Sequence, residues 1–377
     1  GYETNCLFSI IMSNMYGLVI SFGFNMNVSA NALGVTNAAT PVGIKAMQEM
    51  QTLNKHKDTA TNPMCTLLAI NTGGVQIVPA SVIAVFASMV FKVQMILPDA
   101  VTDIGYMLFN GSELEEISFG PDVVEIGYGA FENTNLKEIE LPPKLTEIGS
   151  HSFEKTQLTH IEFPEKLNKI GYNAFQYCNL EEVVIPDSVE KIGSSAFADN
   201  PIKKLILGNS IEELDLDVFS NCQIEEIIIP DSVTSISYRA FKSNPLKKVI
   251  IGNGVRTIYT DAFSYTQLEV ISIPKNVKNI YESAFSNTPL KKIALSGGKD
   301  FLSGNAFINT KVEEIILNMP IKFDTISYYF FDQFPEDVII YVDENEAQKL
   351  KQYTTAEIVE CDIDEKIKDF EQKYLGE

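Results

Sequence analysis

The sequence predicts a β-rich solenoid, because phenylalanine recurs at a fixed interval and each copy ends the same apolar pattern. Ten phenylalanines stand 22 residues apart: Phe109, Phe131, Phe153, Phe175, Phe197, Phe219, Phe241, Phe263, Phe285 and Phe307. A period of this size is typical of a small repeat that cannot bury its own apolar face and stacks on its neighbours. We therefore expect about 11 repeats of 22 residues, with these phenylalanines as an internal spine.

Each repeat follows the pattern L-x-x-I-x-I-P-x-x-V-x-x-I-G-x-x-A-F, which residues 180–197 show clearly. The alternating apolar residues near its start predict a strand that buries Val183 and Ile185 on one face. In several repeats proline then ends the strand, since it cannot donate to the ladder. Three places after each phenylalanine lies a small polar residue, which we expect to satisfy buried turn groups. This role explains Cys178 and Cys222 better than metal binding or catalysis does.

The repeats resemble a known family. Residues 185–197 (IPDSVEKIGSSAF) and 229–241 (IPDSVTSISYRAF) are similar to the BspA-like leucine-rich repeat, and the resemblance covers about residues 92–335. It implies a right-handed, curved leucine-rich repeat array. Members of this family are largely cell-surface or secreted proteins that bind proteins or host surfaces and have no enzymatic activity of their own, so the resemblance implies the same here.

Acidic and basic pairs alternate from repeat to repeat at the two positions before the inward strand residues: Glu181-Glu182, Lys203-Lys204, Glu225-Glu226 and Lys247-Lys248. Neighbouring strands lie roughly 4.8 Å apart, so we expect opposite charges to meet between adjacent repeats. The pattern favours one register, because a slip by a whole repeat would bring like charges together.

The strand position between the two inward residues points outward, and four successive repeats carry an apolar residue there. We name this set the apolar stripe: Val184, Ile206, Ile228 and Ile250. Charged residues flank it and form the charged rim: Glu182, Lys204, Glu226 and Lys248. An exposed apolar stripe with a charged rim is a candidate surface for a protein partner. Alternatively, these residues merely favour strands, or a neighbouring element covers them.

The sequence offers little to support catalysis. Its carboxylates recur regularly on a solvated face, whereas a glycosidase pair needs a pocket and two different environments. His56, His151 and His160 occupy variable or loop positions, which favours surface roles. The five cysteines have no C-x-x-C spacing, so neither a disulfide framework nor a zinc site is indicated. We predict a protein that is not an enzyme, with no cofactor and no metal.

Charge divides the chain into two parts of different character. Residues 1–91 hold six charged side chains that sum to zero, so the formal net charge of −21 belongs to the remainder. An acidic array repels phosphate backbones, which makes nucleic acid an unfavoured partner. The sequence predicts an apolar helical segment at 1–91, the repeats at 92–335 and a capping region at 336–377.

The capping region has its own predicted elements. Residues Val338–Val342 predict a last strand, Glu344–Tyr353 a helix and Asp364–Leu375 an acidic terminal helix. Terminal repeats need a polar outer face, so we expect these elements to form an α/β cap.

The first part of the chain carries a second resemblance. Residues 27–54 and 62–84 are similar to spore maturation protein A and the related nucleoside-recognition gate domain, notably in the segments Asn37–Pro41, Lys45–Met47 and Ile70–Thr72. Members are multi-helix membrane proteins linked to sporulation or solute passage. In a complete domain of that kind the polar residues inside apolar stretches would be functional candidates: Asn37, Thr40, Asn71 and Thr72.

Only about 60 residues match that domain, a fragment of it. We therefore expect residues 1–91 to anchor or cap the solenoid, with membrane contact as one form of this and a buried soluble bundle as another. The alternative is a membrane gate or spore-maturation component with an appended solenoid. A fusion or gene-model junction near residues 87–92 also remains open.

Overall fold

The computed structural model describes residues 94–97, 99, 101–320 and 330–376. They fall into two compact units that divide between Lys166 and Leu167. The expected helical segment at 1–91 lies outside the described residues, as do His56, Asn37, Thr40, Asn71 and Thr72. Each unit is built from parallel strands that pair with strands one repeat away, which is a β-solenoid.

The first unit contains five short strands. In chain order they are β1 (Gln94–Ile96), β2 (Asp103–Ile104), β3 (Glu116–Ser118), β4 (Glu125–Ile126) and β5 (Glu147–Ile148). The strand β1 pairs in parallel with β3, while β4 pairs with both β2 and β5. Each partner is the residue 22 places later, as in the pair Ile104 and Ile126.

The second unit contains two kinds of strand. The two-residue strands are β6 (Lys169–Ile170), β8 (Lys191–Ile192), β10 (Glu213–Leu214), β12 (Ser235–Ile236), β14 (Thr257–Ile258), β16 (Asn279–Ile280) and β18 (Phe301–Leu302). The longer strands are β7 (Glu182–Val184), β9 (Lys204–Ile206), β11 (Glu226–Ile229), β13 (Lys248–Ile251), β15 (Val270–Ile273), β17 (Lys292–Leu295) and β19 (Glu314–Leu317).

Both kinds of strand form parallel ladders. The longer strands pair as β7 with β9, β11 with β13, and β15 with β17 and then β19. The two-residue strands pair from β6 to β8 and from β10 through β18. Val183 and Ile185 are buried, as the alternating pattern predicts.

The phenylalanine spine lies inside the solenoid, as predicted. All ten side chains have 0 % exposure. Their rings stack from repeat to repeat with centroids 5.2 to 5.7 Å apart, from Phe109 to Phe153 in the first unit and from Phe175 to Phe307 in the second. This spacing lies within the range that aromatic pairs prefer. The recurrence of phenylalanine therefore continues one internal stack within each unit.

Small polar residues that follow the phenylalanines satisfy buried turn groups at several repeats, as predicted, although the buried Ser112 hydroxyl has no hydrogen-bond partner among the described residues. The hydroxyls of Thr134, Thr266, Thr288 and Thr310 each donate to the carbonyl of the preceding spine residue. The amide of Asn244 donates to the carbonyls of Phe219 and Phe241, and its oxygen accepts from the N–H of Ile224. Asparagine thus joins two adjacent repeats, whereas these threonines bond within one.

Two backbone positions in nearly every repeat adopt the left-handed conformation, a feature that the sequence analysis did not predict. They lie two residues before and two residues after the phenylalanine, as at Ser195 (φ 55°) and Asp199 (φ 60°) around Phe197. The N–H groups of both residues donate to carbonyls of the next repeat. Asn, Asp, Ser and Gly occupy many of these positions because they tolerate this conformation best.

Two repeats of the first unit depart from the prediction of a strand in every repeat. The segments that carry Glu140 and Glu162 are described, but they form no strand. Glu116 and Glu138 occupy equivalent positions, so like charges would face each other in a ladder. Pro142 and Pro164 also end the segments of two successive repeats, so neither of these neighbours supplies a donor N–H at that position. The alternation of charge begins only after these repeats.

The C-terminal residues continue the sheet and add two helices. After a 3₁₀-helix at Phe331–Gln333 come β20 (Ile339–Val342), α1 (Glu344–Leu350), β21 (Glu357–Glu360) and α2 (Ile363–Tyr374). The strand β20 pairs in parallel with β19 and β21. The side chains of Asp343 and Asp362 cap the two helices.

Two expectations about this region were wrong in detail. The strand at Ile339–Val342 is not the last, because β21 follows it and extends the ladder. The first helix ends at Leu350 rather than Tyr353. The second helix matches the prediction to within one residue at each end.

Candidate functional site

The apolar stripe lies on the outward face of the longer strands. Val184 pairs in register with Ile206, and Ile228 with Ile250, so the side chains form one column. The exposed fractions are 45 % for Val184, 47 % for Ile206 and 66 % for Ile228, while Ile250 is half-buried. Three of the four predicted residues are thus well exposed. The strands β9 and β11 are neighbours, so the pair Val184 and Ile206 continues into the pair Ile228 and Ile250.

The charged rim and the pairs beside it connect adjacent repeats. Lys204 Nζ lies 2.5 Å from Glu182 Oε1, and Lys203 Nζ lies 3.0 Å from Glu181 Oε2. The same contact recurs between Lys247 and Glu225 at 2.8 Å. The predicted meeting of opposite charges is confirmed at these pairs. They are exposed, so each contributes only about 0.2–1 kcal/mol, and their main effect is on register.

The outward face of the next repeats is covered by α2. The residues equivalent to the stripe are Ser272, Ala294 and Ile316, with exposures of 7 %, 0 % and 2 %; we name them the covered positions. Ile363 and Phe370 of α2 are buried in the same cluster as Ala294 and Ile316. The same column of strand residues is therefore exposed to solvent at Ile228 and buried against α2 at Ile316.

Polar contacts fix the course of α2 across the strands. Near its start, the Asn318 amide donates to Asp364 Oδ1 at 3.1 Å. Near its end, Ser272 Oγ donates to Glu371 Oε1 at 2.7 Å. The helix therefore runs from β19 toward β15, against the order of the strands in the chain.

Lysine also contacts α2 at the edge of the covered positions. The Lys292 ammonium pairs with Glu314 and lies 5.8 Å from the centroid of the Tyr374 ring. Burial alone would lower the pKa of Lys292, but the hydrogen bond to Glu314, the negative charge of Glu314 and the contact with Tyr374 together outweigh it and raise that pKa above its ordinary value. Lys204 and Lys248 of the charged rim occupy the same position in earlier repeats.

A cleft of about 520 Å³ opens where α2 ends and the apolar stripe begins. Ile228, Ile250 and Ser272 lie along the strand face, and Glu371 and Leu375 line the helix side. The half-burial of Ile250 reflects this position at the boundary between the exposed and the covered face.

The cysteines and histidines do not form a chemical site in the described residues. Burial raises the pKa of the Cys222 thiol to about 12, which keeps it protonated, and its Sγ lies 3.4 Å from the Phe197 carbonyl. Cys178 is buried as well. Among the described residues no group of three or more His, Cys, Asp or Glu could hold a metal ion.

His160 is exposed and lies 3.4 Å from Glu162, whereas His151 is half-buried. The His151 ring contacts the buried Glu154 carboxyl and packs 5.1 Å from the Tyr128 ring. Burial alone would raise the pKa of Glu154, but hydrogen bonds from Lys155 and His151 outweigh it and lower that pKa. The expectation of a simple surface role was therefore incomplete for His151.

The sequence analysis missed that α2 packs on the covered positions Ser272, Ala294 and Ile316. The only signal for it is the spacing of Ile363, Ile367, Phe370 and Tyr374, which lie on one face of a helix. That spacing shows that α2 has an apolar face, but it does not show which surface that face contacts.

Comparison with known proteins supports the repeat assignment. The model of the BspA type leucine rich repeat region matches residues 84–204 and 212–336 in six copies. A leucine-rich repeat protein from Bacteroides ovatus ATCC 8483 is similar in structure, with a TM-score of 0.53 and 24 % identity over 66 % of this chain and 77 % of that one. The pneumococcal vaccine antigen PcpA gives a TM-score of 0.46 and 22 % identity over 71 % and 79 %.

A separate similarity involves a curated bacterial protein. The chain is 49 % identical over 59 residues to spore maturation protein A of Bacillus subtilis (strain 168). The match covers 16 % of this chain and 30 % of that protein, so the chain spans less than a third of the length of this relative. In the part of the chain that the structure describes, no helix has the length and hydropathy to cross a bilayer.

Proposed function

Because the chain belongs to the BspA type leucine-rich repeat family, we propose that it is a non-enzymatic scaffold that binds a protein or surface ligand through the apolar stripe. Leucine-rich repeat solenoids typically serve as protein-binding or surface scaffolds. The observation that carries the proposal is the exposure of Val184, Ile206 and Ile228 in one column, on a face whose equivalent residues are buried farther along. The charged rim supplies the polar border that a specific contact needs.

The same family membership favours a location at the cell surface or outside the cell, with adhesion as the specific role. Residues 1–91 would supply membrane contact or an N-terminal cap, the repeats at 92–335 the binding face, and residues 336–377 the C-terminal cap. The acidic charge of the chain argues against nucleic acid as the ligand.

The test is a comparison of two variants of the full chain as immobilised bait. In Ile206→Glu/Ile228→Glu two charges replace the centre of the stripe. In the control, Val124→Glu, one charge replaces an exposed aliphatic residue of the first unit. Partners captured by the wild type are identified by mass spectrometry, purified and titrated against each variant.

We expect the double variant to bind a purified partner at least about tenfold more weakly, since charged residues are unfavourable at an interface core. Thermal stability of both variants and partner binding by Val124→Glu should stay near wild type. Equal binding by the wild type and the double variant would remove the stripe from the proposal.

A second candidate function follows from the similarity to spore maturation protein A. In this alternative the chain is a membrane gate or spore-maturation component with an appended solenoid. The full chain would then need detergent to stay in solution and would sediment with membranes. Full-length protein that is monomeric without detergent would count against both the gate and a membrane anchor.

A further inference from the structure

We propose that the partner element bound by the apolar stripe is an amphipathic α-helix, seated as α2 is seated on the covered positions. This inference rests on the proposed function and specifies its ligand. The argument is continuity: the exposed and the covered residues belong to one column of equivalent strand positions in the second unit, and one half of that column already holds a helix.

The two halves of the column share their chemistry. Ile228 of the stripe and Ile316 under α2 are the same residue type at the same position, with exposures of 66 % and 2 %. Lys204 and Lys248 repeat the position of Lys292, which contacts Tyr374 of α2. The stripe therefore offers aliphatic groups for an apolar helix face, and the charged rim offers lysines for aromatic or acidic residues at the edge of that helix.

The length of the stripe suits a short helix. Its four residues span three strand spacings, roughly 14 Å, and a helix rises about 1.5 Å per residue, so roughly ten residues would cover it. For comparison, α2 has 12 residues. The partner helix would cross the strands as α2 does, because the column itself runs across them.

The cleft at the end of α2 gives the partner helix a direction. Glu371 of α2 and Leu375, the C-cap of that helix, line this cleft together with Ile228 and Ile250. A helix that continues the line of α2 places its N-terminus there, next to the C-terminus of α2. Its positive dipole end then meets the negative end of α2 and the Glu371 carboxylate, which is favourable.

An extended peptide suits this face less well. The longer strands under the stripe pair with each other in two ladders, β7 with β9 and β11 with β13, so within each ladder an added strand would find side chains rather than donors and acceptors. A helix brings its backbone hydrogen bonds with it and needs only an apolar face.

The test uses a peptide with the sequence of residues 361–376, which contains α2 and its cap Asp362. The peptide carries a fluorophore and is titrated with the full chain, with binding followed by anisotropy and helix content by circular dichroism. A matched peptide with Ile367→Ser and Phe370→Ser lacks the apolar face. A free helix of this length is marginal in water, so binding should raise its helicity.

We expect the peptide to bind the wild-type chain saturably and to gain helix content. Binding should be at least about tenfold weaker when the chain carries Ile206→Glu/Ile228→Glu, or when the matched peptide replaces the original one. Val124→Glu should bind the peptide as the wild type does. If the peptide still binds the double variant, it must displace α2 from the covered positions instead of binding the stripe. That result would overturn the inference. Binding without a gain in helicity, or no binding at all, would also overturn it.

The two proposals fail separately. Where a purified partner loses binding to Ile206→Glu/Ile228→Glu but the helical peptide does not bind, the stripe remains the contact surface and only the helix is wrong. Where neither the partner nor the peptide responds to the double substitution, both proposals fail.

Discussion

Two groups of repeats in the second unit can be compared, and we call their strands the exposed rungs and the covered rungs. The exposed rungs carry Val184, Ile206 and Ile228, and the covered rungs carry Ser272, Ala294 and Ile316. Both groups have parallel strands and the same phenylalanine spine. Ile228 and Ile316 nevertheless differ in exposure, at 66 % and 2 %. The whole difference lies on the outer face, where α2 packs on one set and not on the other. In a solenoid, the repeat therefore fixes where a side chain points, but an element outside the repeats decides whether it is buried.

Substitution in the spine should affect both regions alike and gives the largest effect. We expect Phe197→Ala under the exposed rungs and Phe285→Ala under the covered rungs each to lower the free energy of unfolding by about 3–5 kcal/mol, because each removes a fully buried ring from a stack. Urea denaturation measures both. A small loss at only one site would mean that the two cores differ.

Substitution on the outer face should separate the two regions. We expect Ile316→Glu to cost about 2–4 kcal/mol, since it buries a charge under α2, whereas Ile228→Glu should change the free energy of unfolding by less than about 0.5 kcal/mol. Thermal denaturation compares them directly. Equal losses would show that Ile228 is covered in solution, which would contradict the exposed stripe.

The polar column beneath the two regions gives a smaller difference. Asn244→Ala should cost about 2 kcal/mol, because it leaves the buried Ile224 N–H and Phe219 carbonyl without this partner. Thr288→Ala, under the covered rungs, removes one hydrogen bond within a repeat and should cost about 1 kcal/mol. Chemical denaturation of both variants tests the order, and a reversed order would refute the bridging role of asparagine.

The smallest effect concerns Lys292, whose pKa is raised above 10.5 in the folded chain. Because the folded pKa exceeds the unfolded one, the stabilisation is complete below about pH 10.5 and is lost as the pH rises through the folded pKa. We expect Lys292→Gln to be less stable than wild type at pH 8 by less than about 1 kcal/mol, and the two to converge above the folded pKa. Thermal unfolding between pH 8 and 12 checks this. A constant difference across that range would exclude the charge as the cause.

The sequence predicted the apolar features that recur from repeat to repeat and missed the contacts that occur only once. The ten spine residues and the inward position of Val183 follow directly from a period and an alternation, so no tertiary information was needed. The contact between Ser272 and Glu371 joins residues 99 apart and belongs to no period. The cover over Ala294 and Ile316 was therefore invisible to pattern analysis, except as a general possibility.

The left-handed turns were missed for a different reason. They recur in nearly every repeat, but the residues that occupy them are chemically mixed, as Ser195, Arg239 and Tyr265 illustrate. Hydrogen bonds to the next repeat hold the backbone there whatever the side chain, as for Arg239 and Thr260. The segments at Glu140 and Glu162, which form no strand, were missed because the apolar pattern continues through them. What differs there is that like charges and prolines occupy equivalent positions in neighbouring repeats.

In the second unit, the chain turns a corner of the solenoid just after each longer strand, and glycine at some of these corners lies close to the backbone of the preceding repeat. This close approach bears on how the number of repeats can change. A Cβ built on Gly208 would lie 2.4 Å from the Pro186 carbonyl oxygen, and one built on Gly252 would lie 2.6 Å from that of Pro230. From Pro186 to Pro274, proline and glycine corners thus alternate in step with the acidic and basic residues. Loss of the turn that carries Lys203, Lys204 and Gly208 would bring two proline corners and two acidic pairs together, whereas loss of two successive turns would keep both alternations intact. A change by two turns is therefore the one that preserves both alternations in this part of the array.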